Sequence, residues 1–365
     1  MKKILVINKY CPLHPKAGGA EVRLKDIFSR IGKNHKVYLL TAMFPGAKRK
    51  ETYENINIIR LGKTDSENTI RIHFLIVLLI RKYLKKIKPD VLYEDISVLP
   101  FFTPILCPSQ EKVVIIHHLN KRDFFKSQRL IFALIGYLAE ISFLFTYKKQ
   151  KVIVVSEWMK DELEKKNFKD VTKILNGTSK KLFSDKKYNK NPTVLFLGRL
   201  EKRKGIDLFL KTYPLVIKRV SNVNYIVAGE EFKFKRKGFS LEKLKEKYKN
   251  IQFLGYVTEE KKKQLLESCW LYVAPSIIEG YGISVLEANS TGTFVIGNKV
   301  KGLNESIKDK KTGQLIDCYN TKIFAKTIIN WLDKNKLKEK EENCKKWAKK
   351  HDWDKAALET EKLII

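Results

Sequence analysis

The sequence predicts an α/β chain built as two doubly wound domains. Short apolar runs recur along its 365 residues, stretches of helical period lie between them, and one polar, proline-terminated segment interrupts the alternation. Most of the runs are continuous β-branched or aliphatic segments without polar alternation, as expected of strands buried on both faces of a parallel sheet. Strands alternating with helices then imply doubly wound layers.

Taken in order, the predicted strands of the first half are Ile4–Ile7, Val37–Leu40, Val91–Tyr93, Val113–Ile116 and Lys151–Val155. Those of the second half are Thr193–Leu197, Asn224–Ala228, Trp270–Ala274 and Thr293–Ile296. Helical period appears over Glu21–Ile31, Asp161–Lys166, Asp207–Arg219 and Glu259–Ser268. The polar stretch Ser184–Pro192 reads as a linker. It gives a first domain over residues 1–185 and a second over 190–345, with a C-terminal helix in 346–365 expected to cross back to the first. Ligands of open α/β sheets bind beyond the carboxyl ends of the strands, so each domain should offer strand-end loops to a cleft between the two.

Hydrophobic residues make up 44% of the chain, enough for two folded cores. Lys+Arg 73 against Asp+Glu 40 leaves a net charge of +33. Such a field suits nucleic acid, an anionic membrane surface or a phosphate-bearing substrate, and a lysine-rich coat on exposed helices would also produce it. No zinc finger, RNA-binding aromatic signature or helix-turn-helix is visible and the lysines are scattered, which argues against a nucleic-acid partner. The five cysteines are far apart and form no C-x-x-C pair, so neither a disulfide framework nor a zinc site is expected. A reducing cytosol fits this usage. After Lys2-Lys3 only Ile4–Ile7 is apolar, too short for the core of a signal peptide.

Two apolar stretches bear on membranes. Leu130–Tyr147 carries Glu140 in its middle and reads as a core helix or as a helix touching lipid from one side. Thr69–Lys88 sets Ile70, Ile72, Phe74, Leu75, Val77 and Leu78 beside Arg71, Arg81, Lys82, Lys85, Lys86 and Lys88. That pattern fits a core helix with a solvated basic end, or a basic amphipathic helix lying on anionic lipid.

The chemistry-bearing segments follow predicted strands. Glu279-Gly280-Tyr281-Gly282 comes after Trp270–Ala274 and leads into a helix near Ile283 that carries Glu287. A glycine turn into a helix presents free N–H groups and a positive dipole end, suited to a diphosphate. Carboxylates on both sides of an anion site suit hydroxyls at the two ends of a nucleotide-sugar, with Glu279 at the sugar and Glu287 at the ribose. Gly198-Arg199-Leu200-Glu201-Lys202-Arg203-Lys204-Gly205 follows Thr193–Leu197, and Arg199 and Lys204 could clamp that diphosphate. In the first half, Gly18-Gly19 allows close backbone approach and Glu21 caps the helix that they open, without forming G-x-G-x-x-G. His117-His118 ends Val113–Ile116, and alternation along a strand points one of the two into the cleft.

Together these segments resemble the retaining glycosyltransferases of family 4, which have the GT-B fold of two Rossmann-like domains facing each other across a cleft. The resemblance rests on Gly18-Gly19-Ala20-Glu21, His117, Val152–Val155 with Ser156-Glu157, Asn176-Gly177, Gly198–Gly205, Pro275–Glu287, Gly292-Thr293, Thr312-Gly313 and Asp352-Trp353-Asp354. It implies transfer of a hexose from a nucleotide-diphosphate sugar to a glycan or lipid-linked acceptor, with retention and with no metal or cofactor. It places Glu279 at the donor sugar, Glu287 at the ribose, and Arg199, Lys204, Gly18, Gly19 and the Gly280-Tyr281-Gly282 turn at the donor, with His117 beside the transferred sugar. Of the histidine pair, register favours His117. A cytoplasmic enzyme, peripheral on the inner face of the membrane, is the expected setting. A non-transferring relative such as a sugar-nucleotide epimerase is the alternative reading. Two departures stand out: Lys301-Gly302-Leu303-Asn304-Glu305 where the family often has a Gly-Gly pair before a glutamate, and Ser284 where it usually has proline.

Overall fold

The computed structural model describes residues 1–63, 69–97, 99–119, 130–230 and 240–365. They divide into two compact units, Met1–Asn176 with Trp353–Ile365, and Gly177–Asp352.

Unit 1 holds an eight-stranded sheet in the order β3-β4-β2-β1-β5-β6-β7-β8. The strands are β1 (Lys3–Ile7), β2 (Lys36–Ala42), β3 (Lys50–Tyr53), β4 (Ile56–Leu61), β5 (Val91–Ile96), β6 (Lys112–Ile116), β7 (Lys151–Val154) and β8 (Asp170–Lys173). All pair in parallel except β3 with β4. That edge hairpin turns through Glu54 and Asn55, both at positive φ, as a two-residue turn with the twist of a sheet demands. The helices are α1 (Gly19–Ile31), α2 (Thr69–Ile87), α3 (Thr103–Leu106), α4 (Leu130–Thr146) and α5 (Glu157–Glu164). Residues of β1, β5 and β6 are almost wholly buried, which is why Ile4–Ile7, Val91–Tyr93 and Val113–Ile116 read as unbroken apolar runs, and β5 goes on to bury Glu94 and Asp95.

Unit 2 holds six strands, β9 (Thr193–Leu197), β10 (Asn224–Ala228), β11 (Gln252–Gly255), β12 (Leu271–Ala274), β13 (Phe294–Asn298) and β14 (Gly313–Ile316). Their order is β11-β10-β9-β12-β13-β14, all parallel. This is the doubly wound arrangement whose order reverses between its first and fourth strands, here β9 and β12. Its helices are α6 (Ile206–Ile217), α7 (Leu241–Lys247), α8 (Glu259–Ser268), α9 (Ile283–Ser290), α10 (Lys301–Ser306), α11 (Thr321–Trp331) and α12 (Lys334–Lys349). The last helix, α13 (Trp353–Ile364), belongs to unit 1. It is fastened to α1 by Arg30 on Asp354 at 2.6 Å and to His35 by Glu361 at 2.9 Å.

The predicted strands and helices lie within or beside observed ones, but the linker reading fails. Lys186, in the middle of Ser184–Pro192, donates to the carbonyls of Leu266 (2.7 Å) and Cys269 (2.6 Å) and to Thr293 Oγ1 (2.8 Å). Burial lowers the pKa of its ammonium group. Asn189 accepts from the Trp270 indole at 2.9 Å, so this polar stretch is packed into unit 2. The boundary therefore falls at Asn176 rather than 185, and the tail that joins unit 1 starts at Trp353 rather than 346. The intervening α12 buries Leu337, Cys344 and Ala348 within unit 2. Among the described residues no helix is long and apolar enough to cross a membrane. The side chains of Ile70, Arg71 and Ile72 lie outside the described residues.

Candidate functional site

In unit 2 the candidate residues gather beyond the carboxyl ends of β9 and β12, at the point where strand order reverses. After β9, Gly198 takes φ +152° and Lys202–Lys204 forms a single 3-10 turn. Gly205 follows at φ +73°, where a side chain would fall 2.1 Å from the Pro275 carbonyl oxygen. The loop after β9 is thus pressed against the loop after β12. A backbone hydrogen bond from Ile277 N–H to Arg203 O (2.9 Å) ties the two together.

This contact brings Lys204 to Glu279. The Lys204 ammonium donates to Glu279 Oε2 at 2.6 Å, and the Ser276 hydroxyl donates to the same oxygen at 3.1 Å. Burial would raise the Glu279 carboxyl, but Lys204, Arg203 and Ser276 outweigh it and hold the group below its usual range. Glu279 is therefore an ionised acceptor with one oxygen committed to Lys204 and Ser276. Asn298, at the end of β13, braces the loop by donating to the Ser276 carbonyl at 3.0 Å. Phe196, Tyr272, Pro275 and Leu303 complete a small pocket around Lys204, Ser276 and Glu279.

The glycine turn is shaped from behind. Gly282, at φ +88° and ψ +64°, is the N-cap of α9. Lys301-Gly302-Leu303-Asn304-Glu305, a departure from the family pattern, forms most of the short helix α10. A side chain on Gly302 would lie 2.2 Å from the Glu279 carbonyl oxygen, so this one glycine lets the helix sit against the turn. The second departure, Ser284, lies with its hydroxyl 2.8 Å from that of Tyr272, which is also 3.2 Å from the Leu197 carbonyl.

Three predicted donor residues sit otherwise than together. Arg199 Nη2 stands 3.7 Å from Glu201 Oε1, on the same loop as Lys204. Glu287, in the second turn of α9, accepts from Lys262 of α8 at 2.8 Å, and Lys262 also pairs with Glu259 at 2.8 Å. The two carboxylates hold the Lys262 ammonium well above its usual range despite its burial. At Tyr281 the ring is buried and its hydroxyl donates to His351 Nε2 at 2.6 Å, so its backbone is the part that stands at the turn. The His351 Nδ1–H donates in turn to the Trp347 carbonyl at 3.0 Å, so the ring is neutral, and burial takes its pKa down to about 4.

Unit 1 has its own reversal of strand order, between β1 and β5, and a second cluster lies there. Gly18 is the N-cap of α1, and its N–H donates to Glu21 Oε2 at 2.7 Å. Glu21 Oε1 accepts from Asn8, the residue after β1, at 3.3 Å. Burial raises the Glu21 carboxyl, with Gly18 N–H opposing and the neighbouring Asp95 adding to the rise. His117, just after β6, donates from Nε2 to Asp95 Oδ1 at 2.9 Å, since a carboxylate can only accept. Arg23 of α1 donates to Asn176 Oδ1 at 3.0 Å, which gives the Asn176-Gly177 pair its place.

Asp95, Asn8 and Lys262 escaped the sequence reading. Asp95 had a usable signal, an acid at the carboxyl end of a buried strand. Lys262 had none, because it is the middle of three consecutive lysines and only packing selects it.

With this geometry in view, the model described as glycosyl transferases group 1 matches residues 178–351, and the one described as glycosyltransferase family 4 matches residues 17–181. An uncharacterized glycosyltransferase of Methanocaldococcus jannaschii is 26% identical over 221 residues, 60% of this chain and 60% of its own. A phosphatidyl-myo-inositol mannosyltransferase of Mycobacterium leprae is 29% identical over 152 residues, 40% of this chain and 39% of its own. The chain thus spans about 60% of the first relative's length and 39% of the second's. Among solved structures, sucrose-phosphate synthase from Thermosynechococcus elongatus superposes with a TM-score of 0.82 at 19% identity, over 100% of this chain and 98% of that one. Anabaena HepE in complex with UDP-glucose gives 0.76 at 15%, over 99% of each chain. The two models tile residues 17–351 in the order of the two units and the fold is shared over the full chain, so this is a GT-B, glycosyltransferase family 4-like protein.

Proposed function

We propose that the protein transfers a hexose from a nucleotide-diphosphate sugar to a glycan or lipid-linked acceptor, retaining anomeric configuration and using no metal or cofactor. The observation that carries this reading is the Lys204–Glu279 pair beside the Gly280–Gly282 turn, at the reversal point of a Rossmann-like sheet. Glu279 accepts hydrogen bonds from the hydroxyls of the donor sugar. The N–H groups opening α9, with Arg199 and Lys204, receive the diphosphate, and Glu287 holds the ribose.

As the sugar–phosphate bond breaks, negative charge grows on the leaving diphosphate. Arg199 and Lys204 neutralise it from fixed positions, which lowers the barrier because no groups have to reorganise. The acceptor hydroxyl attacks the same face that the diphosphate leaves, and its proton passes to the departing oxygen. For unit 1 the proposal assigns His117, oriented by Asp95, to the transferred sugar and Gly18-Gly19 to the donor. A lipid-linked acceptor draws support from a relative named for phosphatidyl-myo-inositol.

The test is incubation of the purified protein with UDP-, GDP- and ADP-sugars, with and without a lipid-extract acceptor and with EDTA. Release of nucleoside diphosphate from one donor, undiminished by EDTA, and an α-linked product from an α-linked donor by NMR are expected. Interconversion of sugar nucleotides without transfer would overturn the reading in favour of an epimerase.

A further inference from the structure

We propose that α2, α3 and α4 form an anionic-lipid-binding face on unit 1, which docks the protein on a membrane surface without crossing it. The inference rests on the lipid-linked acceptor proposed above for its purpose, although its test requires no transfer.

These helices cover one face of the unit 1 sheet. Ile76 and Ile80 of α2 pack with Leu92 of β5. Two residues on, Glu94 accepts from the Tyr147 hydroxyl at 2.7 Å, just beyond α4. Two further on, Ile96 packs with Phe143 of α4. Alternation along β5 puts all three on the same side. Between the helices, Phe101 joins the α2 cluster and Phe102 packs against the α4 cluster.

The outward side of this layer is apolar where a soluble surface would be polar. Leu78 is 76% exposed, Leu130 74% and Phe145 69%, with Phe74 and Ile105 at 58%. Leu130, Leu134, Leu138 and Phe145 are spaced along one exposed stripe of α4, whose lone charged residue, Glu140, is buried. A helix apolar on every side belongs in a core or against lipid, and α4 is not enclosed in a core.

Charge selects the occupant. Along α2 the exposed stripe of Phe74 and Leu78 continues into Lys82 and Lys85, with Arg81 and Lys86 also exposed, and the helix has no acidic residue. At the end of α4, Lys148 Nζ lies 5.1 Å over the Phe145 ring and Lys149 is exposed. Each helix connects strands of one parallel sheet, so both run the same way and their lysines collect along one edge. An apolar layer edged by cations matches acyl chains beneath anionic headgroups. A second copy is disfavoured, since two chains each at +33 would bring like-charged rims together.

The experiment is flotation with phosphatidylcholine vesicles, with and without phosphatidylglycerol, at low and high salt. Wild type should float with the anionic vesicles at low salt and less so at high salt. The Lys82→Gln/Lys85→Gln/Lys86→Gln variant should lose about 100-fold in partition at low salt. The Leu134→Ser/Leu138→Ser/Phe145→Ser variant should lose about tenfold or more at either salt. Both substitute exposed side chains, so circular dichroism and nucleotide-sugar hydrolysis should match wild type. The proposal is overturned if wild type stays unbound at low salt, if both variants float like wild type, or if ultracentrifugation shows a dimer that the apolar variant dissolves. Failure here with intact nucleoside diphosphate release would spare the transfer reading, and the converse would spare the lipid face.

Discussion

Lys204 and Glu279 lie 75 residues apart and meet at 2.6 Å, so the loops after β9 and β12 form one charged unit. The pair is mostly buried, with 23% and 18% of its side chains exposed, so the cost of taking two charges out of water offsets much of their attraction. Its value is positional: it fixes a cation and an ionised carboxylate at the mouth of a turn of free N–H groups.

Lys204→Ala and Arg199→Ala should each lower kcat/KM for the donor by about 100-fold or more, while urea unfolding shifts by no more than about 2 kcal/mol. Steady-state kinetics with urea titration of the same preparations decides this. Wild-type rates in both variants would remove the clamp.

Gly302→Ala should be far more damaging than its size suggests. The added carbon would lie 2.2 Å from the Glu279 carbonyl oxygen, so α10 or the turn must move. A loss of about 1–3 kcal/mol in stability is expected. Nucleoside diphosphate affinity by calorimetry should fall by about tenfold as the N–H groups lose their alignment.

Asp95→Asn keeps the shape beside His117 but exchanges a charged acceptor for an amide. Turnover should drop by about ten- to 100-fold with donor KM nearly unchanged, because His117 loses its orientation rather than its place. A rise in KM alone would make Asp95 a donor-binding group instead.

The buried His351 should make stability depend on acid. Its folded pKa is about 4 against 6.5 in the unfolded chain, so between those values the unfolded chain binds the extra proton. Stability is then full above pH 6.5 and is lost as pH falls toward 4, by up to about 3 kcal/mol. Urea unfolding of wild type and His351→Gln at pH 7 and 4.5 measures it, and the variant should show the shallower decline.

The sequence alone determined the architecture, because strands buried on both faces must be unbroken apolar runs. Val113–Ile116 and Thr193–Leu197 are legible for that reason. It also marked the loops of the candidate site, since Gly198, Gly205 and Gly282 take backbone that other residues rarely adopt. The edge strands β3, Lys50–Tyr53, and β8, Asp170–Lys173, were not legible, because an edge needs less apolar surface.

Only the tertiary structure decided which polar residues meet. Lys186 looks like any linker lysine until three acceptors from distant segments surround it. Tyr281 sits inside the most informative motif, yet its hydroxyl is spent on His351, 70 residues away. Lys262 is chosen over its neighbours only because α8 packs beside α9. The period of a chain encodes its faces, but partners across long sequence separations are set by how those faces pack, and in this protein the charges of the candidate site are paired by that packing.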